Sequence, residues 1–387
     1  MISPEAVRAA LAAVLRPRNP DEQFTVLGAG SDDIESGRAY LAALADGGWA
    51  VPTWPVEYGG LGASPADAGI VTRELARFEQ PDLYPFLVGM SVAAPTILAL
   101  ATPHQCARWL PLIKTGEEIW CQLFSEPGAG SDLANVGARA ERDGDVWRVT
   151  GQKVWTSRGH YARRGFLLAR SDPSVPKHRG ITAFALDMHA NGVDVRPLRQ
   201  MNGDAHFSEV FLDDVEVSDE DRIGDIGAGW AVARAALANE RGAIGAVGTG
   251  MGAPADRLLE LLAARDVGAV ARDRVAAARV QSEVNRLTMR RARDAARTGR
   301  TPGPEGSGSK LRGSALMKEA ADAALAILGA DGVVGAGEWQ TLFLTAPSIS
   351  IRGGTDEIQR NIVGERVLGL PAEPRVDVEP PWDEIPH

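Results

Sequence analysis

The spacing of apolar residues divides the chain into two helical regions on either side of a strand-rich one. Between residue 3 and about residue 115, apolar side chains recur every three to four positions, as at Val7, Leu11 and Leu15, which predicts helices. Helical spacing returns after residue 226 and continues to about Leu370. Between these regions, four runs have strand-like composition and are separated by turn residues: 146–150, 165–169, 182–186 and 209–212.

These changes predict a mixed α+β protein with three domains and a tail. We expect an N-terminal all-helical domain over residues 1–117, a middle β domain over 118–225 and a C-terminal helical domain over 226–371. Several short strands at this spacing are typical of a small β-barrel or of two packed sheets. Residues 372–387 are rich in prolines and acids, so we expect an extended or disordered tail.

Composition and charge narrow the function classes. The length of 387 residues exceeds one typical core, and 44% hydrophobic with 24% charged residues is usual for a soluble globular protein. A net charge of −10 argues against a nucleic-acid partner. The two cysteines, Cys106 and Cys121, show no disulfide or metal-site spacing. Neither a signal-peptide pattern nor an apolar run of roughly 20 residues is present, so we expect a cytoplasmic protein without a membrane span.

The stretch from Trp120 to Asp132 is the first that carries chemistry. It begins as an apolar strand, which Glu126 and Pro127 end, because proline lacks the N–H that a strand ladder needs. Small residues follow, and their backbone N–H groups can approach a flat or anionic ligand closely. Taken alone, the stretch would be an ordinary glycine turn between two strands.

Two further segments change that interpretation: 151–157, which reads Gly-Gln-Lys-Val-Trp-Thr-Ser, and 352–361, which reads Arg-Gly-Gly-Thr-Asp-Glu-Ile-Gln-Arg-Asn. Together with the Glu-Pro-Gly-Ala-Gly-Ser-Asp block, they resemble the acyl-CoA dehydrogenase family, from about Trp54 to Pro371. This family consists of flavoproteins that oxidise acyl-CoA thioesters to 2-enoyl-CoAs. The resemblance implies a helical domain, a middle β-barrel and a C-terminal four-helix bundle. It also implies FAD, an acyl-CoA substrate, and an electron-transfer flavoprotein or equivalent acceptor.

The family pattern assigns binding roles to particular residues. Trp155 would lay its indole beside the flavin ring, although a buried core tryptophan is the alternative, and Ser157 would supply a hydroxyl to the flavin. The complete set of expected FAD contacts is Gln122, Phe124, Ser125, Gly130, Ser131, Trp155, Thr156, Ser157, Thr355 and Glu357. The expected acyl-CoA contacts are Ser131, Arg241 and Gly354.

The family reaction removes an α-proton with a carboxylate while a β-hydride leaves for flavin N5. Many members carry this carboxylate at the position of Gly353, which has no side chain here. The second known placement matches Glu240, which we expect to act as the base with a raised pKa, because it shares a helical face with apolar residues. The alternatives are a surface glutamate paired with Arg241, and Asp356 as the base. The backbone N–H of Gly353 would help to hold the thioester oxygen.

A second departure concerns assembly. Homotetrameric members carry an Arg-x-Phe-Gly block that reaches a neighbouring subunit's FAD, and residues 258–270 contain no phenylalanine. Ala326 and Ala330 also replace a family glutamine and glycine. With its end motifs, the chain is similar to subunits of α2β2 dehydrogenases of bacterial steroid side-chain degradation, which implies a homo- or heterotetramer. Three functions stay open: a dehydrogenase for a bulky, branched or steroid acyl-CoA, a catalytically silent partner subunit, and a related flavin oxidase or monooxygenase.

Overall fold

The N-terminal domain is a set of five helices, four of which begin with a side-chain cap. The structure, a computed structural model, describes residues 2–19, 32–247, 253–297 and 305–385. Ser3, Asp33, Ser64 and Thr102 each accept a backbone N–H at the start of a helix, which satisfies one of the donors that a helix leaves free. The five helices are α1 (Pro4–Ala12), α2 (Ile34–Ala45), α3 (Pro65–Leu75), α4 (Ala94–Leu100) and α5 (Pro103–Thr115).

A π-helical turn precedes α4. Residues Gly89–Ala93 form this turn, and the chain becomes α-helical where Pro95 stands in the first turn of α4. Proline is tolerated there because its missing N–H has no partner in the first turn of a helix. The π-turn contacts the first strand of the middle domain and the first helix of the C-terminal domain. Such turns often occur at functional sites, and this one joins all three parts of the molecule.

The middle domain is one eight-stranded sheet that does not close. The strand order is β6-β7-β3-β2-β4-β5-β8, and β1 pairs in parallel with β4. The expected barrel is therefore an open sheet, because β6 carries Pro197 at one edge and β8 has only two residues at the other. The strands are β1 (Trp120–Leu123), β2 (Arg139–Asp143), β3 (Val146–Ser157), β4 (Arg164–Arg170), β5 (Ile181–Asp187), β6 (Val193–Leu198), β7 (Phe207–Ser218) and β8 (Arg222–Ile223).

The central strands are covered on both faces. Alternate residues of β4 enter two different cores: Leu167 lies in one with Val7, and Phe166 lies in the other with Ala233. The first core joins the sheet to the N-terminal helices, and the second joins it to the C-terminal domain. Strands buried on both faces read as continuous apolar runs, which explains the composition of 165–169 and 182–186.

The C-terminal domain contains seven described helices. Side chains of four of them, α7, α8, α9 and α11, build a third core around residues such as Leu258, Val275, Leu316 and Trp339. In the described part of the chain, no helix has the length and apolar character to cross a membrane. The helices are α6 (Gly229–Val247), α7 (Ala253–Ala263), α8 (Ala269–Arg297), α9 (Glu305–Leu328), α10 (Ala330–Val334), α11 (Glu338–Ile349) and α12 (Asp356–Arg366).

The tail after α12 is anchored on the middle domain as far as Ile385. It has no regular secondary structure and bends at residues 376–380 before a short 3₁₀ turn, Trp382–Glu384. Pro381 makes an isolated β-bridge with Pro176. We expected an extended or disordered tail, and the structure shows ordered contacts, because one tryptophan in the acidic segment packs on the sheet domain.

Candidate active site

The glycine-rich loop that follows β1 is tied to β3 beneath it. The backbone N–H of Val154 donates to the carbonyl of Ser125 over 2.9 Å. Glu126 and Ala129 exchange two backbone hydrogen bonds of 3.0 and 3.1 Å, which close a tight turn. Gly128 and Gly130 lie at the exposed top of this turn, where a Cβ atom would meet nothing within 4 Å. The loop therefore presents open backbone to a ligand.

A buried ion pair holds this loop. The Lys153 Nζ atom lies 2.6 Å from Glu126 Oε1 and 3.2 Å from the carbonyl oxygen of Phe124, and the Lys153 side chain is fully buried. Glu126 also accepts the N–H groups of Gly137 and Ala138, at 2.7 and 3.0 Å. Burial lowers the pKa of the Lys153 ammonium, although the Glu126 carboxylate opposes that shift. Because Lys153 donates to the start of the loop and Glu126 accepts N–H groups from its far end, the pair fixes the loop's shape.

Trp155 is turned outward by a β-bulge. The pairing of β3 with β7 shifts register between Lys153 and Thr156, and Trp155 has a φ of +59°. Its side chain is 61% exposed and meets Phe207 edge-on, with ring centroids 5.9 Å apart. Bulges often re-aim a side chain beside an active site. The indole therefore offers a face to a flat ligand, and the alternative of a buried core tryptophan is wrong.

A narrow cleft continues from this face toward the C-terminal domain. It is lined in part by Ser157, Arg158 and Phe207 from the middle domain and by Thr345 and Arg352 from the C-terminal domain. Ser157 and the residue directly before Gly353 thus face one cleft. Asn202 and Thr345 are 143 positions apart in the sequence. A hydrogen bond of 3.1 Å from Asn202 Nδ2 to Thr345 Oγ1 ties the two domains together beside the cleft.

Two expected cofactor contacts have inward side chains. The Phe124 ring is buried and packs edge-on against Phe166 at 5.4 Å, so its side chain belongs to the core. Thr156 is also fully buried, on the face of β3 opposite Trp155. At both positions the backbone is what remains for a ligand.

Glu240 lies beside the strand that leads into the glycine-rich loop. The Nε2 atom of Gln122 is 3.4 Å from Glu240 Oε2, and the carboxylate is half-buried. One and two turns earlier on α6, Ala236 and Ala233 are buried in the second core. The neighbouring Asn239 donates to Thr96 of α4 over 3.2 Å, which fixes this part of α6. The side chain of Arg241 lies outside the part of the chain that the structure describes.

The Gly353-Gly354 pair has a left-handed backbone. Their φ angles are +67° and +84°, a conformation that side-chain-bearing residues rarely adopt. A carboxylate residue at Gly353 would therefore be strained in this chain. Thr355 caps α12 by accepting the N–H of Ile358 at 3.2 Å, and Glu357 is exposed and pairs with Arg360. These two positions stay predicted cofactor contacts.

Asp356 is occupied in a structural ion pair. Its Oδ1 atom lies 2.8 Å from the Nζ of Lys310, and the side chain is buried. Burial alone would raise the pKa of Asp356, but hydrogen bonds from Lys310, Ser350 and Ser314 lower it. A base must accept a proton from substrate, so this arrangement argues against Asp356 and leaves Glu240 as the better candidate.

Sequence reasoning missed several residues that shape the site. Lys153 and Glu126 both belong to the sequence motifs, but no sequence pattern identifies them as partners. Arg158 directly follows Ser157, is 3% exposed, and donates from Nε to Asp32 over 2.7 Å. Its guanidinium lies 4.3 Å from the centre of the Tyr84 ring. The available signal was the charge of Lys153 inside a strand-like run, since a buried charge needs a partner. No such pattern marks Arg158, which follows the end of β3.

Models of protein families match three consecutive parts of the chain: the N-terminal, middle and C-terminal domains of acyl-CoA dehydrogenase, over residues 5–117, 121–215 and 227–368. The chain is 38% identical over 348 residues to acyl-CoA dehydrogenase IpdE1 of Mycobacterium tuberculosis, which covers 88% of this chain and 89% of IpdE1. The chain belongs to the acyl-CoA dehydrogenase family. The three-domain fold expected from the sequence is thereby confirmed, with an open sheet in the middle domain.

One further relative and one solved structure are also similar to this chain. Acyl-CoA dehydrogenase FadE34 of Mycobacterium tuberculosis is 44% identical over 333 residues, which is 85% of this chain but 46% of FadE34. The chain thus spans less than half the length of that relative. The structure of the ChsE4-ChsE5 complex from Mycobacterium tuberculosis superposes with a TM-score of 0.74 at 30% identity, covering 96% of this chain and 97% of that one.

Acyl-CoA dehydrogenases are flavoproteins, and FAD is the cofactor of this chain. The residues fit that group. Trp155 offers an exposed indole, and the glycine loop offers open backbone. Among the described residues, the buried Nη2 atom of Arg158 has no hydrogen-bond partner, and Arg158 lines the cleft beside Ser157. A flat ligand with ring oxygens and a phosphate-bearing tail suits such a surface.

Proposed function

We propose that the chain catalyses the FAD-dependent α,β-dehydrogenation of an acyl-CoA thioester to the 2-enoyl-CoA, with Glu240 as the base that removes the α-proton. The single observation that carries this proposal is the contact between Glu240 and Gln122, at 3.4 Å. This contact supports the proposal because Gln122 is the first residue of the segment that the family pattern assigns to the flavin. Two motifs separated by 118 residues therefore meet at one point.

Each residue has a defined task in this proposal. Glu240 accepts the α-proton from a position beside the apolar second core. The N–H of Gly353, in its left-handed turn, polarises the thioester oxygen and so makes the α-proton more acidic. Bound FAD supplies the acceptor for the β-hydride. Ser131, Gly354 and Arg241 contact the acyl-CoA.

The substrate is an acyl-CoA with a bulky or branched acyl group, and a steroid side-chain thioester is the class we favour. One structural neighbour supports this choice: at 27% identity and with a TM-score of 0.79, it is described as the Tcur3481-Tcur3483 steroid ACAD. The electrons then pass to an electron-transfer flavoprotein or equivalent acceptor in the cytoplasm.

We also propose that the chain works in a heterotetramer. The ChsE4-ChsE5 and Tcur3481-Tcur3483 neighbours each contain two named proteins. In this chain, residues 258–270 lack the phenylalanine of the block with which homotetrameric members reach a neighbour's FAD. That same absence favours the second candidate function, a silent subunit that completes the site of a companion chain.

One experiment separates these functions. The chain is purified alone and after co-expression with each candidate companion, and bound FAD per chain is measured together with native mass. Each preparation is then mixed anaerobically with a steroid-type acyl-CoA or with a straight-chain acyl-CoA. Dehydrogenase activity predicts bleaching of the flavin by the bulky thioester. A preparation that holds FAD in this chain but is not reduced by any acyl-CoA would contradict the proposal, and rapid reoxidation by oxygen would indicate an oxidase.

A further inference from the structure

The C-terminal tail is held on the middle domain by backbone hydrogen bonds. The N–H of Trp382 donates to the carbonyl of Val175 over 3.0 Å, and the N–H of Asp383 donates to the carbonyl of Pro173 over 3.1 Å. These bonds attach the tail to the connection between β4 and β5. They hold the tail as a short extra strand-like segment on the middle domain, far in sequence from the residues it contacts.

The Trp382 side chain is the anchor. Its Nε1 atom donates to Asn135 Oδ1 over 2.8 Å, and its ring lies 4.7 Å from the guanidinium carbon of Arg170. The ring edge also approaches Gly137, where a Cβ atom would lie 3.5 Å from it. An indole stacked on a guanidinium and hydrogen-bonded at its edge has one defined orientation.

Arg170 connects the Trp382 ring to the loop of residues 131–137. It is 2% exposed, and its Nη2 atom donates to the carbonyls of Ala134 and Val136 at 2.6 and 3.0 Å. Its Nη1 atom donates to the carbonyl of Lys177 over 2.6 Å. The guanidinium therefore holds the loop from one side and the β4–β5 connection from the other, and the tryptophan covers it.

A second link runs through charged groups. The Nζ atom of Lys177 lies 2.8 Å from both carboxylate oxygens of Asp132 and 2.5 Å from Asp377 Oδ2. Lys177 is nearly buried, so one ammonium is shared by a loop carboxylate and a tail carboxylate. Asp132 directly follows Ser131, which the family pattern assigns to both cofactor and substrate. The far end of the loop, Gly137, is fixed by Glu126.

We propose that Trp382 and Asp377 are positioning residues for the proposed dehydrogenation: the tail holds the loop of residues 131–137 in the shape that receives the phosphate-bearing part of FAD or of the acyl-CoA. The inference rests on the proposed function for its ligands. Without the tail, Lys177 would keep only one of its two carboxylate partners, Asp132. Arg170 would lose the Trp382 ring that covers it. The loop would then gain conformations in which Ser131 no longer meets the ligand.

The test uses the full protein with its companion chain where one is required. Trp382→Ala and Asp377→Asn are compared with Trp382→Phe, which keeps a ring over Arg170 but not the N–H donor, and with Asp383→Asn, whose side chain is exposed. The measurements are the Kd of FAD by titration, KM and kcat for the acyl-CoA, and the melting temperature. FAD titration needs no turnover, so it tests the tail even if no acyl-CoA is oxidised.

We expect Trp382→Ala and Asp377→Asn to weaken FAD binding or raise KM about tenfold, with kcat at saturation within about twofold of wild type. Trp382→Phe is expected to recover most of the loss, and Asp383→Asn to change nothing. A lower melting temperature with unchanged Kd and KM would show a purely structural tail and overturn the inference. If Trp382→Ala does not fold, Asp377→Asn alone decides, because it removes one charge and no packing.

Discussion

The Nζ atom of Lys153 lies 2.6 Å from Glu126 Oε1 in the interior of the middle domain, beneath the loop that faces the cofactor. The pair joins β3 to the end of β1, and backbone N–H groups of the returning loop complete the hydrogen bonds of the carboxylate. A buried ion pair with complete hydrogen bonds holds a binding loop in one shape. Breaking the pair is unfavourable, because it leaves one charge buried and unpaired.

Replacing one member of this pair should be costly. We expect Lys153→Met or Glu126→Gln to lower the free energy of unfolding by about 3–5 kcal/mol, because an unpaired buried charge remains or a charge-assisted bond is lost. Urea unfolding measures this change. The exposed pair of Asp194 and Arg196 is the matched control, since Asp194→Asn should cost at most about 1 kcal/mol. Equal effects at both pairs would contradict this role.

Trp155 should matter for FAD and not for stability. Its side chain is 61% exposed, so we expect Trp155→Ala to change the free energy of unfolding by no more than about 0.5 kcal/mol. Loss of one stacking face should weaken FAD binding about tenfold, which is about 1.4 kcal/mol. Val56→Ala, at a 72% exposed position of the N-terminal domain, serves as the control. Unchanged FAD affinity in Trp155→Ala would show that the Trp155 indole does not contact FAD.

The lowered pKa of the Asp219 carboxyl predicts that its contribution to folding stability is lost at acidic pH. Hydrogen bonds from Arg222 and Trp147 lower the pKa of this carboxyl to about 2, from an ordinary value of 3.8. A depressed pKa stabilises the folded state above the ordinary value, and this contribution is lost as the pH falls toward the folded value. We expect Asp219→Asn to be about 1–2 kcal/mol less stable than wild type at pH 6.

The same difference should shrink steadily as the pH falls from about 4 toward about 2, measured by urea unfolding. Asp143→Asn provides the comparison, because the Asp143 carboxylate is 72% exposed and its nearest cation is 3.8 Å away. A difference between Asp219→Asn and wild type that stays constant over this range would contradict the assigned cause.

A glutamate introduced at Gly353, the other family position of the base, should not restore the activity lost in Glu240→Gln. Gly353 has a φ of +67°, so Gly353→Glu would strain the turn that carries the thioester-holding N–H. We expect acyl-CoA to reduce the FAD of the double variant, Glu240→Gln with Gly353→Glu, no faster than that of Glu240→Gln alone. Anaerobic mixing measures both rates. Substantial rescue would show that the turn tolerates a side chain and that the two base positions are interchangeable here.

The sequence was sufficient for the order of domains and for the family, because the glycine-rich block and the switch from helical to strand-like spacing are local signals. It did not predict which side of β3 each residue faces. Simple alternation would put Lys153 and Trp155 on one face, and the bulge instead buries Lys153 and Thr156 and exposes Trp155. A bulge depends on pairing with β7, which no local pattern records.

Long-range contacts account for the other differences. The tail was expected to be extended or disordered from its prolines and acids, but the Trp382 contact with Arg170 and Asn135 joins segments more than 200 residues apart. The open sheet likewise follows from the edge strands β6 and β8, whose pairing depends on the whole domain. Such contacts depend on tertiary structure, so composition alone could not predict where the tail attaches to the middle domain.

The rate at which an acyl-CoA reduces bound FAD in Glu240→Gln, measured anaerobically, tests the central claim most directly. Loss of a general base should slow reduction by about 10²–10⁴-fold, while FAD per chain and the melting temperature stay at wild-type values. Asp356→Asn is the control, and it should lower stability through the lost Lys310 pair without slowing reduction to this extent. Reduction of Glu240→Gln within about twofold of the wild-type rate would contradict Glu240 as the base.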